Sequence, residues 1–142
     1  MSLTHKLLPS HGSTNPTIPK PDVPPESYVL TVQDGLPIYY SEDTSPVSAI
    51  RVIHPTNPKA PSVGHSIVML YVPPQAEMEV HSHETEETYV IISGSGTMFR
   101  NGGDVEVGVG HFIFMPPWCD HGIKNTGTEM LTVLLATSPP NP

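Results

Sequence analysis

The chain is short of cations. Six Lys and Arg stand against fourteen Asp and Glu in 142 residues, a formal net charge of −8. Lys6, Lys20, Arg51, Lys59, Arg100 and Lys124 are scattered and make no basic stripe of the kind a nucleic acid needs, so no nucleic-acid partner is expected. Anionic membrane surfaces are disfavoured on the same ground. Long apolar runs are missing too: none approaches the ~20 residues that cross a bilayer. The start MSLTHKLLPS has no apolar segment of signal-peptide type. One cysteine, Cys119, excludes an intramolecular disulfide framework and fits a reducing, cytoplasmic setting. Helical periodicity is absent from every window of useful length. The length suits one hydrophobic core and no more.

Proline and glycine are abundant instead, at 18 and 11. Residues 1–27 are polar and punctuated by Pro9, Pro16, Pro19, Pro21, Pro24 and Pro25, which forbid a helix and favour extended backbone. We read them as an arm lying along the domain or along a partner subunit, with one domain over 28–142. Candidate strands follow at short spacing: SYVLTV, PIYY, VSAIRVI, HSIVMLYV, MEVHSH, ETYVII, GTMFR, DVEV, HFIFM, HGIKN and MLTVLLAT. Asn101-Gly102-Gly103-Asp104 is a tight-turn signal between two of them. Many short strands with regular turns predict an all-β antiparallel sandwich or barrel.

Chemistry concentrates in EVHSHETEETYVIISGSG, Glu79 to Gly96. In an extended strand alternate side chains share a face, so His81 and His83 project together and can converge on one cation. Glu87 opens the following strand and offers an oxygen ligand, and His121 supplies a third imidazole. Glu87, Tyr89 and Ile91 share a face by strand parity. Glu84 and Glu86 flank the turn and read as solvated.

These residues carry a family resemblance. Residues 81–94 match HxHxxxExxxxxxG through His81, His83, Glu87 and Gly94, and residues 110–125 match most of GxxxxxPxGxxHxxxN through Gly110, Pro116, His121 and Asn125. The two segments together resemble the paired motifs of the cupin superfamily. The resemblance covers about residues 28–137 and implies a jelly-roll (double-stranded β-helix) barrel. It implies one divalent transition metal ion per chain (Fe, Mn, Ni, Zn or Cu) on His81, His83, Glu87 and His121. Frequent homodimers are implied as well, often with an N-terminal segment lent to the neighbour. Two positions depart from the pattern: Gln75 stands where a Gly usually opens the first motif, and Trp118 where a Gly usually follows the proline of the second.

Around the ligands the readings stay plural. Tyr89 serves core packing, or moves a proton as a tyrosine does in some metal-dependent lyases of the superfamily. Trp118 is a lid over the site or a plug of its loop. Met98, Phe99 or Arg100 contributes to the pocket wall, with Met98 our candidate. Cys119 has Asp120 beside it and no nearby cation, so an inert thiol is expected. His5, His11, His54, His65 and His111 lack ligand spacing. An open metal position permits polarisation of a bound carbonyl or carboxylate, or dioxygen binding beside a chelated substrate. By resemblance, a dioxygenase or oxalate-type decarboxylase acting on a small oxygen-bearing substrate leads. An oxygen-independent lyase, isomerase or cyclase is the alternative, and a non-enzymatic sensing or small-molecule-binding cupin is a third.

Overall fold

The structure, a computed structural model, describes residues 18–40 and 46–141; the first 17 residues of the expected arm lie outside that range. Residues 18–27 carry no regular secondary structure and are exposed. The strand expected over SYVLTV is not formed. Its Thr31 instead caps a 3-10 turn at Val32–Asp34, with the Thr31 N–H donating to the Asp34 carboxylate at 2.9 Å and the Gln33 N–H to Thr31 Oγ1 at 3.3 Å. Local side-chain bonds of this kind outcompete the ladder that β-branched residues otherwise favour.

Among the described residues ten strands follow, and every pairing among them is antiparallel. They are β1 (Leu36–Tyr39), β2 (Ser48–Ile53), β3 (Ser66–Val72), β4 (Glu77–His81), β5 (Glu86–Ser93), β6 (Ser95–Arg100), β7 (Val105–Gly108), β8 (Phe112–Met115), β9 (His121–Lys124) and β10 (Leu131–Ser138). A six-stranded sheet runs β1-β2-β3-β10-β5-β8 and a four-stranded sheet β4-β9-β6-β7. The all-β, jelly-roll expectation holds. The Arg100–Gly103 turn joins β6 to β7 by a bond from the Gly103 N–H to the Arg100 carbonyl, with Gly102 at φ +87°, where an L side chain would be strained.

Alternation is strict in the strands that build the core. β10 buries Leu131, Val133, Leu135 and Thr137, and β5 buries Glu87, Tyr89 and Ile91. These meet Val68, Leu70 and Val72 of β3 and Met98, Val107 and Ile123 of the smaller sheet. Asn125 is fully buried and satisfied: its Nδ2 donates to the Val72 and Glu129 carbonyls at 2.7 Å, and its Oδ1 accepts from Gly127 N–H at 2.9 Å. It therefore pins the β9–β10 connection to β3, which is more than a turn requires.

Candidate metal centre

Strand β4 delivers His81 through an irregularity. Met78 pairs with Ile123 and His81 with His121, so β4 uses three residues where β9 uses two. On a regular strand Met78 and His81 would face opposite sides; the bulge brings both to one cavity. It closes over Gly122, where an added Cβ would lie 2.8 Å from the Met78 carbonyl oxygen and 2.9 Å from the Val80 nitrogen. Only a glycine inside this short strand leaves room for so close an approach.

His83 departs from its expected setting. β4 ends at His81, and His83 stands in the connection to β5, where its carbonyl accepts the Trp118 N–H at 2.8 Å rather than a ladder bond. The rings still converge. One ring nitrogen each from His81, His83 and His121 lies within 4.8 Å of the others. Glu87, 4 % exposed, sets Oε1 3.2 Å from His83 Nε2 and 3.1 Å from His121 Nε2.

Each ring is oriented by a carbonyl. Nδ1–H of His81 donates to the Glu79 carbonyl at 2.7 Å, that of His83 to the Thr85 carbonyl at 2.9 Å, and that of His121 to the Cys119 carbonyl at 2.8 Å. A carbonyl only accepts, so the tautomer that satisfies all three carries its proton on Nδ1, where at His83 the Thr85 hydroxyl also stands at 2.9 Å, and a neutral ring then presents a bare lone pair at Nε2. Two such lone pairs facing a carboxylate oxygen at 3.1–3.2 Å repel unless a cation stands among them. The donor set therefore fits a divalent ion, three imidazoles and one carboxylate being a common transition-metal environment.

Without metal, protons answer the same demand. Burial opposes charge on His121, but the hydrogen bond with Glu87, the Cys119 carbonyl and the nearby Glu87 and Asp120 charges outweigh it and raise its pKa above the ordinary value. His81 is exposed at its outer edge, yet the desolvation of its ring prevails, helped by the other two rings against the Glu79 carbonyl and Glu87, and the pKa is lowered. Tyr89 is buried edge-on to His121, ring centroids 5.9 Å apart. Burial, then the Glu87 and Tyr40 charges, push its phenol well above its usual range. All three effects favour the neutral phenol.

The centre opens into a cavity of ≈ 210 Å³ lined by His81, His83, Glu87, Tyr89, Met78, Leu135, Tyr40 and Asn141. Sequence reasoning missed Met78, Leu135, Tyr40 and Asn141 as lining residues. Tyr40 follows the inward alternation of Leu36 and Ile38 in β1, whereas Asn141 gave no signal. Two expected pocket residues lie elsewhere. Met98 is in the core and borders a separate space between β7 and β8. Trp118 is 66 % exposed and does not line the cavity. Trp118 and Gln75 are nonetheless special: at φ +65° and +67° they are the two non-glycine residues with left-handed backbone among those described. They are also the two positions where the motifs usually carry glycine.

Residues 68–137 match the family model of the cupin domain. An uncharacterized protein of Methanocaldococcus jannaschii is 32 % identical over 113 residues, covering 79 % of this chain and 87 % of that one. The chain belongs to the cupin superfamily. A second relative of this cupin, the oxalate-binding protein of Thermotoga maritima, is 37 % identical over 68 residues, 45 % of this chain and 56 % of that one. Among solved structures, a predicted oxalate decarboxylase of Thermotoga maritima superposes with a TM-score of 0.66 at 22 % identity, covering 78 % of this chain and 98 % of the other. The polyketide cyclase RemF of Streptomyces resistomycificus superposes with a TM-score of 0.69 at 19 % identity, covering 80 % of each chain. At these identities the structures speak for the fold alone. No described helix is long and apolar enough to cross a membrane.

Proposed function

We propose that this cupin is a mononuclear metal enzyme whose small, oxygen-bearing substrate chelates the ion, in the manner of a decarboxylase or a dioxygenase. The observation that carries the reading is the gathering of three carbonyl-oriented imidazoles within ligand reach of one another, with the buried Glu87 oxygen against two of them. His81, His83, His121 and Glu87 would hold the ion. The ion would supply Lewis acidity and an open coordination position. The chain's own work is then positional. The Tyr40 and Tyr89 phenols line the cavity beside Glu87 and donate to substrate oxygens. Met78 and Leu135 exclude water on the apolar side. The names of the oxalate-binding relative and the oxalate decarboxylase-like fold neighbour agree with a substrate of this size.

Two neutral phenols beside Glu87 also favour the second reading, an oxygen-independent lyase or cyclase in which Glu87 or Tyr89 passes a proton to substrate. Oxygen uptake separates the two. Turnover that consumes dioxygen, requires Fe and fails in His81→Ala supports a dioxygenase. Turnover under anaerobic conditions that survives replacement of Fe by Zn or Ni supports proton-transfer chemistry. No turnover of diketones, hydroxy acids or oxalate by metal-replete protein would leave a binding or sensing cupin. The proposed homodimer draws support from the outward face of the larger sheet, where Phe112 and Phe114 are 73 % and 60 % exposed.

A further inference from the structure

After its last strand the chain returns to the metal cavity. Residues 139–141 have no regular structure, yet Asn141 is fastened. Its backbone N–H is shared between the Thr137 hydroxyl at 3.2 Å and the Ser66 hydroxyl at 3.4 Å. Those two side chains are buried, stand opposite each other in the β3–β10 register and bond to one another. The Ser138 hydroxyl donates to the Gly64 carbonyl at 3.0 Å and ties down the same segment. The Asn141 carbonyl acts on buried His54: burial first, then the Arg51 charge, lower that ring's pKa, and the carbonyl opposes them. Both backbone polar groups of Asn141 are thus engaged. Its side-chain amide makes no hydrogen bond among the described residues, while the residue lines the cavity with Glu87, His81 and His83. An asparagine serving only a turn bonds its own neighbouring backbone; this one does not.

Apart from the metal-binding set, the polar groups of the cavity are the Tyr40 and Tyr89 phenols and this amide, and no Lys or Arg lines it. A divalent ion held by three neutral imidazoles and one carboxylate keeps one net positive charge. One anionic chelate cancels it, and a second carboxylate on the ligand would then enter without a cation to meet, which is costly in a partly buried site. An amide offers two donors and an acceptor, so it can both give a hydrogen bond to a neutral oxygen and take one from it. We propose that Asn141 is the specificity-determining residue of this cavity, its amide meeting a neutral hydroxyl or carbonyl on a substrate that chelates the ion as a monoanion. The ligand class is a hydroxy acid, hydroxy ketone or diketone with a further neutral oxygen, in preference to a dicarboxylate. At ≈ 210 Å³ the cavity is smaller than the ~300–1,000 Å³ of drug-sized sites, so the ligand is a few carbons long.

The proposal rests on the metal reading above, and its test keeps the two apart. The full chain, loaded with Zn, is titrated calorimetrically with racemic lactate, racemic glycerate and hydroxymalonate, for wild type, Asn141→Ala and Asn141→Asp. The three probes share a 2-hydroxy acid chelate and differ in one group: a methyl, a neutral hydroxymethyl or a second carboxylate. Zn content is recorded for each protein. The expected result is one Zn per chain throughout, and a wild type that binds glycerate about fivefold or more tighter than lactate and tighter than hydroxymalonate. Asn141→Ala should bring glycerate to within twofold of lactate and leave lactate at its wild-type affinity; a residue that only braced the cavity would lower both alike. Asn141→Asp should weaken hydroxymalonate most of the three. If Asn141→Ala does not fold, Asn141→Leu, of similar shape, takes its place in the same titrations. A Zn-loaded variant that keeps the wild-type preference for glycerate overturns the assignment while the metal reading stands. So does a wild type that binds lactate as well as glycerate, or hydroxymalonate best. A wild type that holds no Zn overturns the metal reading; glycerate against lactate in the metal-free proteins then decides Asn141 by the same fivefold criterion.

Discussion

Gly122→Ala is the substitution that most sharply tests how the centre is built. A Cβ at position 122 would stand 2.8 Å from the Met78 carbonyl oxygen, 2.9 Å from the Val80 nitrogen and 3.1 Å from the Glu79 carbonyl carbon. All three are backbone atoms of the bulge, so no side chain can swing aside and β4 itself must move. Overpacking costs about 1–3 kcal/mol, and an obstruction made of backbone belongs at the upper end, about 3 kcal/mol. For a chain of this size that lowers the unfolding temperature by roughly 10 °C. The bulge also aims His81, so flattening it withdraws one imidazole from the set, and Zn affinity should fall by about 10–100-fold, as it does when a ligand loses its orienting support. Gly64→Ala is the control: its Cβ meets nothing within 4 Å and its backbone is not left-handed, so stability should hold within about 0.5 kcal/mol. Thermal unfolding and competitive Zn titration read both variants. Wild-type stability and wild-type Zn affinity in Gly122→Ala would refute the account of the bulge.

Trp118→Gly and Gln75→Gly should each raise the unfolding free energy by up to about 1 kcal/mol, because a left-handed backbone is strained for an L side chain and free for glycine; urea unfolding measures it, and a loss in both variants contradicts the strain. The stabilisation by bound Zn should shrink as the pH falls from neutrality toward 5. For metal-free protein the signs differ between ligands. The raised pKa of His121 contributes stability that is fully present below its unfolded value, near 6.5, and disappears as the pH rises through the folded one. The lowered pKa of His81 works oppositely, its contribution weakening as the pH falls below about 6.5. Because the raised pKa of His121 lets a proton compete with Zn there before the pH has fallen to 6.5, the Zn stabilisation should begin to shrink above that value; unfolding temperatures with and without Zn between neutrality and pH 5 check it, and a Zn stabilisation independent of pH contradicts it.

Much of the site was legible before any coordinates. Strand parity alone put Glu87, Tyr89 and Ile91 on one face, and all three are buried together. The cupin motifs named the three histidines that converge. What escaped depends on register between distant strands. No local pattern says that β4 spends an extra residue against β9, and without that bulge Met78 and His81 would not share a cavity. Tyr40 and Asn141 line the cavity from segments far apart in the chain, a pairing fixed by how the sheets close. The strand expected over SYVLTV failed because Thr31 and Asp34 satisfy each other locally. Met98 was one of three candidates in a run whose inward face the sequence does not fix, and the inward row of β6 to which it belongs fills the core.

The most direct test is an anomalous difference map from crystals of Zn-replete protein. One peak per chain, about 2.0–2.2 Å from Nε2 of His81, His83 and His121 and from a Glu87 carboxylate oxygen, is the predicted result. A replete crystal whose four side chains enclose no peak, or whose ion sits elsewhere, would contradict it.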